Sequence, residues 1–197
     1  MNVLVVHCHP SATSLVSAAR DRAIDALRRA GHEVRAIDLY AEGFEPRLSA
    51  WERRNQFERP EAKTQIGEHA EHLRWCDTLV LVHPTWWSGQ PAMLKGWFDR
   101  VWVAGVAYEL PDGSNRIRPL LHRIRRIVTI TTYGSPRWKN WLQGEGGRRI
   151  AGRSLRVLCH PLARTRRVAI YGVDNASPSD AAAFLDRVDR CMSRLGR

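Results

Sequence analysis

Short unbroken apolar runs, separated by longer stretches in which apolar residues return every three or four positions, set the pattern of this chain. Val3 to His7 is the first run, and its lack of polar alternation marks a parallel strand covered on both faces. Ser11, Thr13 and Ser14 then supply hydroxyls suited to capping a helix. Leu15, Ala18, Ala19, Ala23, Ala26 and Leu27 share one face of that helix until Gly31 stops it. Val34, Ala36 and Ile37 predict a second strand closed by Asp38. Leu39 to Pro60 is mixed and charged, a long connection with a helical turn around Ala50 to Asn55. Glu61 to Trp75 reads as a helix and Thr78 to Val82 as the third strand. Met93, Leu94, Trp97, Phe98 and Val101 put a third helix over Gln90 to Val103, and Pro111, Asp112 and Gly113 mark a hairpin or loop between Tyr108 and Leu120. Ile127 to Thr132 and Val168 to Tyr171 predict the fourth and fifth strands, with helices over much of Gly146 to Leu158 and over Ala181 to Leu195.

Five apolar strands alternating with helices predict an α/β sheet of parallel strands with helices on both faces, because parallel neighbours need long, right-handed crossovers. No internal repeat divides the 197 residues, a length that suits one domain, so 1–197 is expected to form a single unit. Ligands of such sheets bind beyond the carboxyl ends of the strands. Three segments are thereby singled out: His9 to Leu15 after the first strand, His83 to Gly89 after the third, and Thr131 to Arg137 after the fourth.

Composition narrows the function classes. With 44% hydrophobic and 26% charged residues the chain is a folded globular protein rather than a disordered or fibrous one. No run approaches the roughly 20 apolar residues needed to cross a bilayer, and Met1 to Val6 is too short for a signal-peptide core, so a soluble, cytoplasmic protein outside the membrane is expected. Lys and Arg number 31 against 20 Asp and Glu, a net +11 that favours anionic partners. The basic runs Arg123 to Arg126 and Arg164 to Arg167 each precede a predicted strand without a nucleic-acid motif, so a solvated or phosphate-facing surface is expected there and no nucleic-acid partner. Cys8, Cys76, Cys159 and Cys191 lack CxxC spacing and read as buried reduced thiols. His7-Cys8-His9 alternates across a strand with no second ligand cluster, so no metal is expected.

The chemistry resides in the three turns. His9-Pro10-Ser11-Ala12-Thr13-Ser14-Leu15 joins hydroxyls to a helix N-terminus, whose free N–H groups favour a phosphate, although it lacks the glycines of the Rossmann and P-loop motifs. His83-Pro84-Thr85-Trp86-Trp87-Ser88-Gly89 sets backbone N–H groups beside two indoles, an edge and a wall for a planar heterocycle such as a flavin. Core packing or a dimer interface would equally account for Trp86 and Trp87. Thr131-Thr132-Tyr133-Gly134 ends its strand in hydroxyls and a glycine that permits close backbone approach.

Taken together, His9-Pro10 with Ser14, Asp38-Leu39-Tyr40 followed by Gly43-Phe44-Glu45-Pro46, the block His83 to Val101, and Thr131 to Gly134 resemble the flavodoxin-like NAD(P)H:quinone oxidoreductase family, the DT-diaphorase relatives. The resemblance implies a doubly wound five-stranded sheet of order 2-1-3-4-5. It also implies a flavoprotein, holding FMN or FAD, that takes hydride from NAD(P)H and delivers two electrons to a quinone-like acceptor by turns, usually as a homodimer. Another role known among bacterial relatives is that of a flavin-binding regulatory subunit of a membrane potassium-efflux system. Carried over by position, His9, Ser14, Leu15 and Val16 would hold the flavin phosphate and ribityl chain. Pro84, Thr85, Trp86 and Trp87 would pack the ring and donate towards N5 and O4, and Thr131, Thr132, Tyr133 and Gly134 would meet its pyrimidine end. Where the mammalian members carry a Tyr and a His after the fourth-strand turn, this chain has Asn140 and Gly146, and no side chain is assigned as a catalytic acid or base.

Overall fold

The computed structural model describes residues 1–55, 66–111 and 116–196. In chain order its elements are β1 (Asn2–His7), α1 (Leu15–Arg29), β2 (Glu33–Asp38), α2 (Ala50–Arg54), α3 (Gly67–Trp75), β3 (Thr78–Thr85), α4 (Ala92–Val101), β4 (Tyr108–Glu109), β5 (Arg118–Pro119), β6 (Arg126–Tyr133), α5 (Arg137–Leu142), α6 (Gly146–Arg149), β7 (Arg164–Tyr171) and α7 (Pro178–Ser193). Five strands form one parallel sheet of order β2-β1-β3-β6-β7. With the two-residue antiparallel ribbon β4–β5 set aside, this is the expected 2-1-3-4-5 winding.

The period of two in each strand sorts the core into two layers. Val3, Val5, Val80, Val82, Val128 and Ile130 meet α1 and α7 through residues such as Leu27, Phe184 and Val188. On the opposite face Leu4, Val6, Leu79 and Leu81 meet α3 and α4 through Leu73, Leu94 and Trp97. The four cysteines are buried and free, as expected. Burial pushes the Cys8 and Cys159 thiols up to about 12 and raises those of Cys76 and Cys191 as well.

Several boundaries differ from the sequence reading. β3 runs three residues further than Val82, because His83, Pro84 and Thr85 pair with Thr131, Thr132 and Tyr133 of β6. Pro84 is tolerated there because it shares the β1-facing parity of Val82, past the last β1–β3 pair, His7 with Val82, so no ladder bond is lost. β7 starts at Arg164, four residues before the apolar run, so the basic run lies within the strand, where the sheet edge exposes it. Helix α5 begins at Arg137, the last residue of the turn expected after the fourth strand, and runs to Leu142 through a stretch given no element by the sequence. The helix expected over Gly146 to Leu158 changes pitch, from α6 to a π-helix over Ile150–Leu155 and a 3₁₀ turn over Arg156–Leu158. The helix placed over Glu61 to Trp75 is seen from Gly67, its first residues and the hairpin tip at Asp112 and Gly113 lying outside the described residues.

The long connection after β2 is clamped to α4. Arg100 donates to Glu52 Oε1 through Nη2 at 2.6 Å and Nε at 2.8 Å, and also to the Glu45 carbonyl. With both partners over nine-tenths buried, the pair is strongly destabilising to break singly. Beside it Gly96 sits against Pro46 so closely that a Cβ would lie 2.2 Å from the Pro46 carbonyl oxygen. Gly96→Ala is therefore expected to destabilise the protein by about 1–3 kcal/mol through overpacking, although alanine in an open helix position would gain about 1 kcal/mol. Urea denaturation measures the sign, and a stabilised variant would show that the connection does not rest on α4.

Candidate functional site

At the first turn, Ser14 caps α1 with extended backbone and accepts from the Ser17 N–H at 3.1 Å. The Leu15 and Val16 N–H groups find no partner among the described residues, as expected for the first turn of a helix. Val16 buries its side chain in the core and offers only its backbone. His9 Nδ1 accepts from the Ser11 N–H at 3.0 Å, which leaves Nε2 as the proton-bearing nitrogen of the neutral ring. Behind this turn lies a network that sequence reasoning missed. His7 Nδ1 meets Asp38 Oδ2 at 2.9 Å, and His7 Nε2 faces the Ser17 hydroxyl at 3.3 Å. Ser17 is in turn 2.9 Å from Ser14 Oγ and donates to the Ser11 carbonyl at 2.8 Å. Arg20 joins Asp38 Oδ2 at 2.7 Å. Burial would raise the Asp38 pKa, but the Ala41 N–H, His7 and Arg20 hold it below the ordinary carboxylate value. The available signal was register, since His7 and Asp38 end two adjacent strands of equal length.

The second turn is a two-residue reversal. Trp86 and Gly89 exchange both backbone hydrogen bonds, at 3.1 and 3.0 Å, and Trp87 and Ser88 between them hold φ of 47° and 62°. Positive φ at both central positions normally calls for Asn-Gly, so this turn carries backbone strain. The Trp87 and Ser88 N–H groups form no hydrogen bond among the described residues, while the Trp87 side chain is fully exposed at 103%. Core packing of this pair is thereby excluded. The Ser88 hydroxyl donates to Gln143 Oε1 at 2.7 Å and its carbonyl accepts from Gly147 at 3.3 Å, which ties the turn to the α5–α6 connection.

The structure brings all three turns to one edge of the sheet. The His9 and Trp86 rings lie 6.2 Å apart, and Thr85 Oγ1 is 2.9 Å from Thr131 Oγ1. Pro84 pairs with Thr132 in register, and Thr85 with Tyr133. The Tyr133 side chain turns away towards β7, stacked on Tyr171 at 4.6 Å and receiving a hydrogen bond from Arg167 at 3.0 Å. Gly134 leaves room for Asp174, whose Oδ2 would be 2.6 Å from a Cβ. Asn140 spends its amide on the Ser135 and Pro136 carbonyls, both at 3.0 Å, and is structural. Glu145, another residue the sequence did not flag, holds φ of 46° and binds Arg167 at 2.7 Å through its carboxylate.

The sequence model of the flavodoxin-like fold family matches residues 1–187. The chain belongs to that family. This flavodoxin-like protein is 31% identical over 148 residues to NAD(P)H dehydrogenase (quinone) 1 of Cavia porcellus, an alignment that covers 67% of the chain and 53% of the relative. The chain thus spans about half the length of the curated relatives it first matches. Among solved structures it is similar to the NAD(P)H:quinone oxidoreductase from Methanothermobacter marburgensis, with TM-score 0.81, 25% identity and coverage of 100% of this chain and 98% of that one. It shares its fold with an FMN-dependent NADH-azoreductase from Bacillus anthracis solved with FMN, with TM-score 0.77, 17% identity and 99% coverage of both chains.

His83 lies beneath the site of this flavodoxin-like protein. It is 2% exposed, with Nδ1 against the Pro84 carbonyl at 2.9 Å and Nε2 buried without a partner among the described residues. Burial brings its pKa down to about 4, and burial also lowers those of His7 and His69. The unfolded chain therefore binds more protons than the folded one below about pH 6.5, the ordinary histidine value. Stability is present in full above that pH and is lost as pH falls towards 4, with His83 alone contributing about 3 kcal/mol. Urea midpoints measured across this window should fall with acid, and His83→Leu should flatten the slope. An unchanged slope in that variant would sink the assignment to His83.

Proposed function

We propose that this chain is a flavin-dependent oxidoreductase that takes hydride from NAD(P)H and delivers two electrons to a quinone-like acceptor. The observation that carries this reading is the meeting, at one sheet edge, of unengaged backbone N–H groups from two turns, those of Leu15 and Val16 and those of Trp87 and Ser88. A phosphate suits the first pair, with the positive end of α1, the Ser11, Thr13 and Ser14 hydroxyls and the His9 Nε2 proton as further donors. A planar ring with carbonyl edges suits the second pair, beside Trp86 and along Pro84, Thr85 and the Thr131 to Gly134 strand end. FMN and FAD both carry these two features. Bound there, the flavin would supply the two-electron chemistry itself.

The residues of the chain bind, orient and stabilise charge. N–H donors fixed by a strained turn do not reorganise as negative charge develops, which is the condition for electrostatic stabilisation. The His7–Asp38 pair holds Ser17, and through it Ser14, so the anion side of the site is preset. Relatives named NAD(P)H dehydrogenase (quinone) support the donor and acceptor classes. Trp87, Trp138, Trp141 and Leu142 are exposed around the second turn and α5. Such an apolar surface supports a homodimer in which a second copy covers the site.

Purified protein is expected to be yellow, with the absorbance of oxidised flavin. Trp86→Ala together with Trp87→Ala should weaken flavin binding about tenfold or more while the circular dichroism stays unchanged, because neither indole is in the core. Full occupancy in that double variant would falsify the site.

One open face at the sheet edge also implies that donor and acceptor occupy it in turn. Initial rates with NAD(P)H varied at several fixed benzoquinone concentrations should then give parallel double-reciprocal lines. Intersecting lines would mean that both substrates bind together and that the shared pocket is wrong.

A further inference from the structure

The outer edge of the sheet concentrates arginine with a single carboxylate, Glu145, paired to it among the described residues. A cleft of about 410 Å³ runs between β7 and α7, lined by Arg137, Arg166, Arg167, Arg187, Arg190 and Arg194 and by no carboxylate among the described residues. Two of these side chains are engaged. Arg167 reaches Glu145 and the Tyr133 hydroxyl, and Arg187 donates to the Ala169 carbonyl at 3.1 Å and lies over the Phe184 ring. Arg137, Arg166, Arg190 and Arg194 form no ion pair among the described residues.

The acids that could have balanced them are turned elsewhere. Asp186 and Asp189 of α7 pair with Arg22 and Arg29 of α1, at 3.6 and 2.5 Å. Arg187, Arg190 and Arg194 follow the helical spacing of three and four and share the side towards β7. Charge on α7 is thus sorted, neutralised against α1 and left in surplus over the cleft. Like charges gathered in one place oppose folding, and a ligand bearing several negative charges removes that cost. Planar guanidinium groups grip phosphate oxygens in pairs, and the volume is that of a small-molecule site rather than a polymer track.

We propose that the cleft between β7 and α7 binds the phosphate groups of a nucleotide-sized anion. This does not depend on the redox reading above, since the cleft is built mainly on β7 and α7 and touches the third candidate segment at its last residue, Arg137, with Arg167 and Tyr171 beside Tyr133. The same chemistry is offered by a phosphorylated dinucleotide and by an ordinary nucleoside triphosphate.

Calorimetric titration of the full chain at low ionic strength, with inorganic pyrophosphate, ATP and NADPH in separate runs, tests the proposal. Arg190→Ala combined with Arg194→Ala should weaken pyrophosphate binding about tenfold or more. Arg28→Ala combined with Arg123→Ala removes the same charge from exposed positions elsewhere and should leave affinity within about twofold. Loss of NADPH binding in the cleft variant with ATP indifferent would name the dinucleotide as the source of the phosphates, and parallel loss of both would name nucleotides in general. Equal losses in the two double variants would reduce the effect to net charge and overturn the site. It is overturned as well if pyrophosphate does not bind or if the cleft variant binds it unchanged. In those cases the arginines serve to keep the free edge of β7 from pairing with another strand.

Discussion

The hydrogen bond between His7 and Asp38 ties β1, β2, α1 and the connection after β2 together. It spans the carboxyl ends of two parallel strands, so it can form only in the register that puts Val3 to Val6 in the core. From His7 it passes to Ser17 and Ser14, and so sets where α1 begins and which of its N–H groups stay free. Asp38 also accepts from the Tyr40 and Ala41 N–H groups, which starts the connection that later clamps onto α4. One buried imidazole thereby aligns the sheet, the first helix and the turn between them. Removing Asp38 would leave the buried His7 ring as a polar group without its bond, a costly state in a low-dielectric interior.

The centre of the sheet was legible because apolar runs in parallel strands carry no competing signal. The elements expected at Val3, Val34, Thr78 and Ile127 appear within one residue at their amino ends. Legibility failed where tertiary pairing overrides local chemistry. A proline at position 84 and an arginine run from 164 argue against a strand in isolation, yet the sheet recruits both, one past the end of a neighbour and the other at an open edge. Helix α5 has six residues and a proline before it, too short for a periodic signal.

The candidate site was legible as segments and much less so as side chains. The three turns follow from the rule about carboxyl ends of strands, and the structure brings them together. What the sequence could not convey is which atoms remain unengaged. Tyr133, for example, aims its ring at Tyr171, and Asn140 closes its own loop. Glu145 takes a left-handed backbone conformation to reach Arg167, a long-range pairing without any local signature. The net positive charge was visible in the composition. Its division between α1-paired and unpaired arginines depended on the packing of α7.

The burial of all four thiols has a chemical consequence. With burial holding these thiols well above their ordinary value, very few are thiolate at neutral pH, and only the thiolate is nucleophilic. Quinones are electrophiles that arylate accessible thiolates. A protein that handles such compounds, as proposed, keeps its thiols buried and protonated, which slows their modification by its own acceptors.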